Sequence, residues 1–134
     1  MNDNEVTIVR MFTGDDGETH FEDAVVPLGA NAIGWDSGPI PGDGSTLRIV
    51  RPDRAAEFHC APRRQFVIVL SGIMDIESGD GTIRRLEAGD VLLAEDTTGR
   101  GHRTNNSNTV RRILIVPVDE AFDLDAIRDR SAAS

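Results

Sequence analysis

At 134 residues the chain fits one domain, large enough to bury a core without staples. A formal net charge of −9 argues against nucleic acid as the main partner, because phosphate binding needs a basic face. All 14 basic residues are arginine and there is no tyrosine, which excludes Schiff-base chemistry, a Walker A loop and phenolic catalysis.

The single Cys60 excludes an internal disulfide framework and suits a reducing compartment. The start MNDNEVTIVRMF lacks the basic and apolar regions of a signal peptide. No apolar run reaches the roughly 20 residues of a membrane span. The expectation is a cytoplasmic protein with no membrane partner.

In chain order, VTIVRMF (6–12) is β-branched and apolar and predicts a strand. TGDDG (13–17) is turn chemistry. ETHFEDAVV (18–26) predicts a second strand, with His20 and Glu22 on one face and Phe21 on the other. Residues 27–46, rich in glycine and proline, read as a long loop with a short strand around Trp35, a lid or an interface element. STLRIVRP (45–52) is a strand stopped by proline. FVIVLSG (66–72) is apolar at every strand position, as in a strand buried between two layers.

Residues 73–95 predict short strands joined by a hairpin at Gly79-Asp80-Gly81, with a turn at Ala88-Gly89-Asp90 before VLLAE. DTTGRGH (96–102) is a polar loop ending in histidine, and TVRRILIVPV (109–118) is the last strand. DEAFDLDAIRDR (119–130) predicts a short helix, acidic at its start and basic at its end, followed by a frayed tail over 131–134. Short strands with frequent turns predict an all-β sandwich or barrel, with periodicity silent on which topology.

Two stretches say more. His59-Cys60-Ala61-Pro62-Arg63-Arg64-Gln65, closed by Gly72, resembles the first motif of the cupin superfamily. Gly89-Asp90-Val91-Leu92-Leu93, followed by His102 and Asn106, resembles the second. The resemblance covers about residues 45–118. It implies a small, single-domain bacterial cupin over 1–134: a double-stranded β-helix, or jelly-roll barrel, with its site in the mouth. It also implies a homodimer, with 6–12 as the expected contributing edge. The metal motifs are degenerate. Ala61 stands at the second histidine position, Gln65 at the glutamate position and Glu95 at the proline position, and the loop to His102 is longer than usual.

On this frame His59 and His102 share one cavity and are candidate metal ligands. A third donor would be His20, Gln65, Cys60 or Glu95, for zinc, iron, nickel or manganese. His20 is equally read as a half-exposed strand histidine, and Cys60 points away from His59 as a small buried residue. Glu95 or Glu22 would move the proton, and Asp96 sits beside Glu95 at the cavity mouth. One of Arg63, Arg64, Arg100 or Arg103 would clamp a substrate carboxylate, while Arg111 and Arg112 are expected exposed or at an interface.

The resulting expectation is a divalent-metal-dependent enzyme acting on a small organic molecule, by isomerase, lyase or dioxygenase chemistry. The alternative is a metal-free binding or accessory protein using His59, Gln65 and His102 as hydrogen-bonding groups. The placement of His20 separates the two.

Overall fold

The computed structural model describes residues 3–52, 56–105 and 109–129. Asn106, the motif asparagine, and the 131–134 tail lie outside them. The strands are β1 (Glu5–Thr13), β2 (Thr19–Pro27), β3 (Gly29–Ala30), β4 (Trp35–Asp36), β5 (Thr46–Val50), β6 (Gln65–Ser71), β7 (Met74–Ser78), β8 (Ile83–Leu86), β9 (Val91–Ala94), β10 (His102–Thr104) and β11 (Arg111–Pro117). They form a six-stranded sheet in the order β2-β1-β9-β6-β11-β5, a three-stranded sheet β10-β7-β8 and the small ribbon β3-β4. β1 runs parallel to β9 and the other pairs are antiparallel. The all-β expectation is met, but the sheets stay separate instead of closing into a barrel.

Alternation along each strand decides what each face buries. On β6, Val67 and Val69 point to an inner core with Leu92, Ala94, Ile113 and Ile115, and Met74, Ile76 and Leu86 of the small sheet close over it. Phe66 points to the other face of the large sheet, with Ile8, Ala24, Val26 and Leu93. That outer face is covered by Val118, Phe122 and Leu124. A strand buried on both sides needs apolar residues at every position, which is why FVIVLSG shows no alternation.

Two expectations are corrected. The C-terminal helix is only a 3-10 turn at Leu124–Ala126, started by Asp123, whose side chain accepts from the Asp125 amide. Phe122 and Leu124 are both buried against the same sheet face, two residues apart. That spacing suits extended chain, whereas a helix sets such positions about 200° apart. The segment 6–12 is not a sheet edge. β1 lies between β2 and β9, and the edges belong to β2 and β5. Among the described residues, no helix is long and apolar enough to cross a membrane.

The loop over 27–46 does carry a short strand at Trp35, paired with Gly29–Ala30. The hairpin at Gly79–Gly81 joins β7 to β8, with the Ser78 amide donating to the Thr82 carbonyl at 2.9 Å.

Candidate functional site

Between the two sheets lies a cavity of about 360 Å³. Its floor is the inner core: Val67, Leu92, Ile113 and Ile115 from the large sheet, Met74 and Ile76 from the small one. Its polar groups are His59, His102, Gln65, Arg48, Arg111, Thr46 and Thr104. The volume is at the small end of the range for small-molecule pockets.

The two histidines meet because their backbones do. His59 forms an isolated antiparallel bridge with His102, which opens β10. Each amide donates to the other's carbonyl at 2.9 Å. In such a pair the side chains share one side. The rings stand 4.8 Å apart between centroids, inclined at 53°. His102 is buried, while His59 is exposed at the mouth.

Both rings are oriented from behind. His102 Nδ1 lies 2.6 Å from Oδ2 of Asp96, which is fully buried and also accepts from Thr19 Oγ1 at 2.8 Å. His59 Nδ1 lies 2.8 Å from the Glu57 carbonyl oxygen. The Glu57 carbonyl has no proton to give, so His59 Nδ1 is the donor there, and a carboxylate at Asp96 accepts from His102 Nδ1 in the same way. In the neutral form of such a ring Nε2 is the acceptor nitrogen, and among the described residues it has no hydrogen-bond partner.

Strand parity places Asp96 there. Leu92 and Ala94 border the cavity, so the next inward position is 96, while Leu93 and Glu95 face the opposite side. Glu95 sits between two arginines on that outer face. It accepts from Arg10 Nε at 2.6 Å and from Arg64 Nε and Nη2 at 2.8 and 2.6 Å. Glu22 is likewise held, by Arg10 at 3.0 Å and Arg128 at 2.7 Å. His20 and Glu22 do share a face, and it is the outer one, with Ala24 and Val26. His20 Nε2 is 3.0 Å from both carboxylate oxygens of Asp16 and does not border the cavity. Cys60 points away, its thiol donating to the Gly99 carbonyl at 3.3 Å.

Of the seven residues named as catalytic or metal-binding from sequence, Cys60 among them, the structure therefore brings His59, His102 and Gln65 together at the cavity. It places His20, Glu22 and Glu95 on the far side of the large sheet. Asp96, Thr19, Arg48 and Arg111 join the site instead. Arg111, expected exposed or at an interface, is buried and borders the cavity, while Arg112 beside it faces outward.

The donors bordering the cavity are two imidazoles and a neutral amide, with no carboxylate or thiolate among the described residues. An open catalytic zinc site takes about three protein ligands, and an amide brings no charge. The set does not fit such a centre: it lacks a third strong donor.

The outer ion pairs predict acid sensitivity. Burial alone would raise the Glu22 carboxyl, but hydrogen bonds from Arg128 and Arg10 overcome this and hold it below its ordinary value. The Asp75 carboxyl is lowered by its bonds from Arg85, against burial. Asp80 is lowered to about 2 by hydrogen bonds from Ser78 and Thr82. Each folded value lies below the unfolded one. The stability they contribute is therefore present above the ordinary carboxylate range, near pH 4, and is lost as pH falls through the folded values. The urea midpoint should fall steadily from about pH 5 to pH 2. Glu22→Gln should lower it at pH 7 and make the acid fall shallower. Parallel profiles for parent and variant would remove Glu22 from this account.

No family model matches the chain, and no curated protein does. Among solved structures it is similar to the crystal structure of an ethanolamine utilization protein Q from Salmonella typhimurium LT2. The identity is 15%, 84% of this chain and 95% of that chain are covered, and the TM-score is 0.40.

Proposed function

We propose that the chain is a small, cytoplasmic, single-domain cupin that binds a small organic molecule between its sheets without a resident metal. The observation behind this reading is the His59–His102 pair: two imidazoles at one cavity, each with Nδ1–H tied back and Nε2 bare. The motif frame and the two facing sheets support the cupin assignment. The chemistry open to such a pair is hydrogen bonding and proton transfer. His102 takes a proton at Nε2, and the charge so formed is balanced by Asp96 through Nδ1–H. The apolar floor excludes water from the rest of the ligand. A homodimer belongs to the same reading. Its contact is β5, an edge strand with Leu47 and Ile49 exposed on the outer side.

A second reading, a metal-dependent enzyme of isomerase, lyase or dioxygenase type, is favoured by one feature. Imidazoles anchored through Nδ1 to a carboxylate or carbonyl are what metal ligands need. Parallel measurements separate the two. Metabolite screening by thermal shift should find compounds that raise the Tm of the parent but not of a His59→Ala/His102→Ala variant. Metal content should be low in both proteins and chelator should leave the shift intact. One bound zinc, iron, nickel or manganese per chain, lost in the double variant, would overturn the metal-free reading in favour of the second.

A further inference from the structure

The chain carries 23 acidic residues against 14 arginines, yet none of the described residues bordering the cavity is acidic. Two arginines, Arg48 and Arg111, and two histidines do border it. A cavity wall that, among the described residues of an acidic chain, carries arginines and no carboxylate presents a site for negative charge.

The arginines expected from sequence to serve there are engaged elsewhere. Arg64 holds Glu95 at 2.6 Å, Arg100 pairs with Glu18 at 3.2 Å, Arg103 with Glu77 at 3.2 Å and Arg63 with Asp43 at 3.6 Å. Arg48 is different. Among the described residues its side chain, exposed at the rim, makes no ion pair or hydrogen bond.

The strand that carries Arg48 is inverted relative to one built for packing. On β5, Leu47 and Ile49 are 75% and 63% exposed, while Thr46, Arg48 and Val50 turn toward the cavity. A strand placed only to cover a core would turn its leucine and isoleucine inward and its arginine to water. The register sets Arg48 opposite Ile113 and Val50 opposite Arg111. The two arginines are thus diagonal neighbours on one face, about 7–8 Å apart at the backbone and within reach of long side chains. Arg48 is exposed at the rim and Arg111 is buried beside it, so an anion entering the cavity there meets positive charge from two sides. Arg111 is buried and has its own partner in the chain; it adds charge to the wall.

Resting on the reading of the cavity as a small-molecule site, we infer that its ligand is a small organic carboxylate. The carboxylate takes the fork of Arg48 at the rim, beside the charge of Arg111. The carbon skeleton lies on Val67, Leu92 and Ile113. The far end meets His59 and His102, which stand on the opposite wall with β10. The volume of about 360 Å³, at the small end of the range for small-molecule pockets, suits a small ligand. The apolar floor favours a carboxylate with a hydrocarbon body over inorganic phosphate.

The test is titration calorimetry on the full chain with matched acids and neutral amides: benzoate and benzamide, hexanoate and hexanamide, glutarate and glutaramide. At least one acid should bind tenfold or more tighter than its amide and weaken as salt rises. Arg48→Gln should lose roughly 10- to 100-fold for that acid, the scale of a hydrogen bond to a charged group. Arg48→Lys should recover part of the loss. Arg112→Gln, on the outer face, should change nothing. If acid and amide bind alike, the cavity reading survives and the carboxylate assignment fails. Unchanged acid affinity in Arg48→Gln, or equal competition by inorganic phosphate, overturns the assignment as well. If no probe binds, the carboxylate assignment falls and support for the cavity reading falls with it.

Discussion

Replacing Asp96 by alanine should destabilise the fold by about 3 kcal/mol, out of proportion to one loop carboxylate. The side chain is fully buried, and a single oxygen, Oδ2, accepts from both His102 Nδ1 and Thr19 Oγ1. Alanine strands two buried donors at once, each worth roughly 1–3 kcal/mol when left unmade. It also frees the His102 ring to turn, so the loss of stability and the loss of site geometry should come together. Asparagine separates the two effects. Its amide oxygen can still accept both protons, but its NH₂ lands where Oδ1 now sits, buried and without a hydrogen-bond partner among the described residues. The Asn variant should therefore be less destabilised than the Ala variant, yet lose the negative charge behind His102. Urea midpoints at constant m measure the first effect. Nitrogen NMR of His102 measures the second, through the proton on Nδ1. An alanine variant within about 0.5 kcal/mol of the parent, with that proton still in place, would rule out Asp96 as the group that orients His102.

That Asp96 and not Glu95 lies behind His102 is not legible in the sequence, for a physical reason. VLLA forms β9, apolar on both faces because both faces of the large sheet are buried, and Glu95 and Asp96 follow it directly. Such a strand carries no alternation, and without alternation sequence cannot say which of two adjacent carboxylates turns inward. On β2 the alternation is clear and sets His20 and Glu22 on one face, as the structure has them. What was missing was which face, and that depends on β1 lying inside the sheet beside β9, a contact some 80 residues distant. His59 and His102 were legible because glycine-bounded motifs fix their place in a known frame. Arg48 was hidden for the opposite reason. TLRIV reads as an ordinary edge strand until the register shows its apolar residues turned away from the cavity and Arg48 toward it.

Gly101→Ala should be the most damaging small substitution at the site, because it attacks the bridge that brings the histidines together. Gly101 has φ of 81°, a left-handed conformation that costs a side-chain residue roughly 1–2 kcal/mol. A Cβ there would also overlap the carbonyl of His59. That carbonyl accepts the His102 amide at 2.9 Å, and the reciprocal bond has the same length. The chain can relieve the overlap only by separating residues 59 and 102, which opens both bonds and parts the rings. A loss of about 3 kcal/mol is expected, combining backbone strain with two hydrogen bonds of about 1 kcal/mol each. Gly81 supplies the control. Its φ is 89°, in the same region, but nothing lies within 4 Å of a Cβ built on it. Gly81→Ala should lose only the backbone strain, about 1–2 kcal/mol, and keep the coupling between the two imidazoles. Urea melts of both variants, with histidine ring spectra recorded alongside, make the comparison. Equal losses, with His59 and His102 still in contact in Gly101→Ala, would mean that the close approach at Gly101 does not hold the pair together. A larger loss at 101, with the ring contact gone, would tie the glycine to the histidine pair rather than to the turn alone.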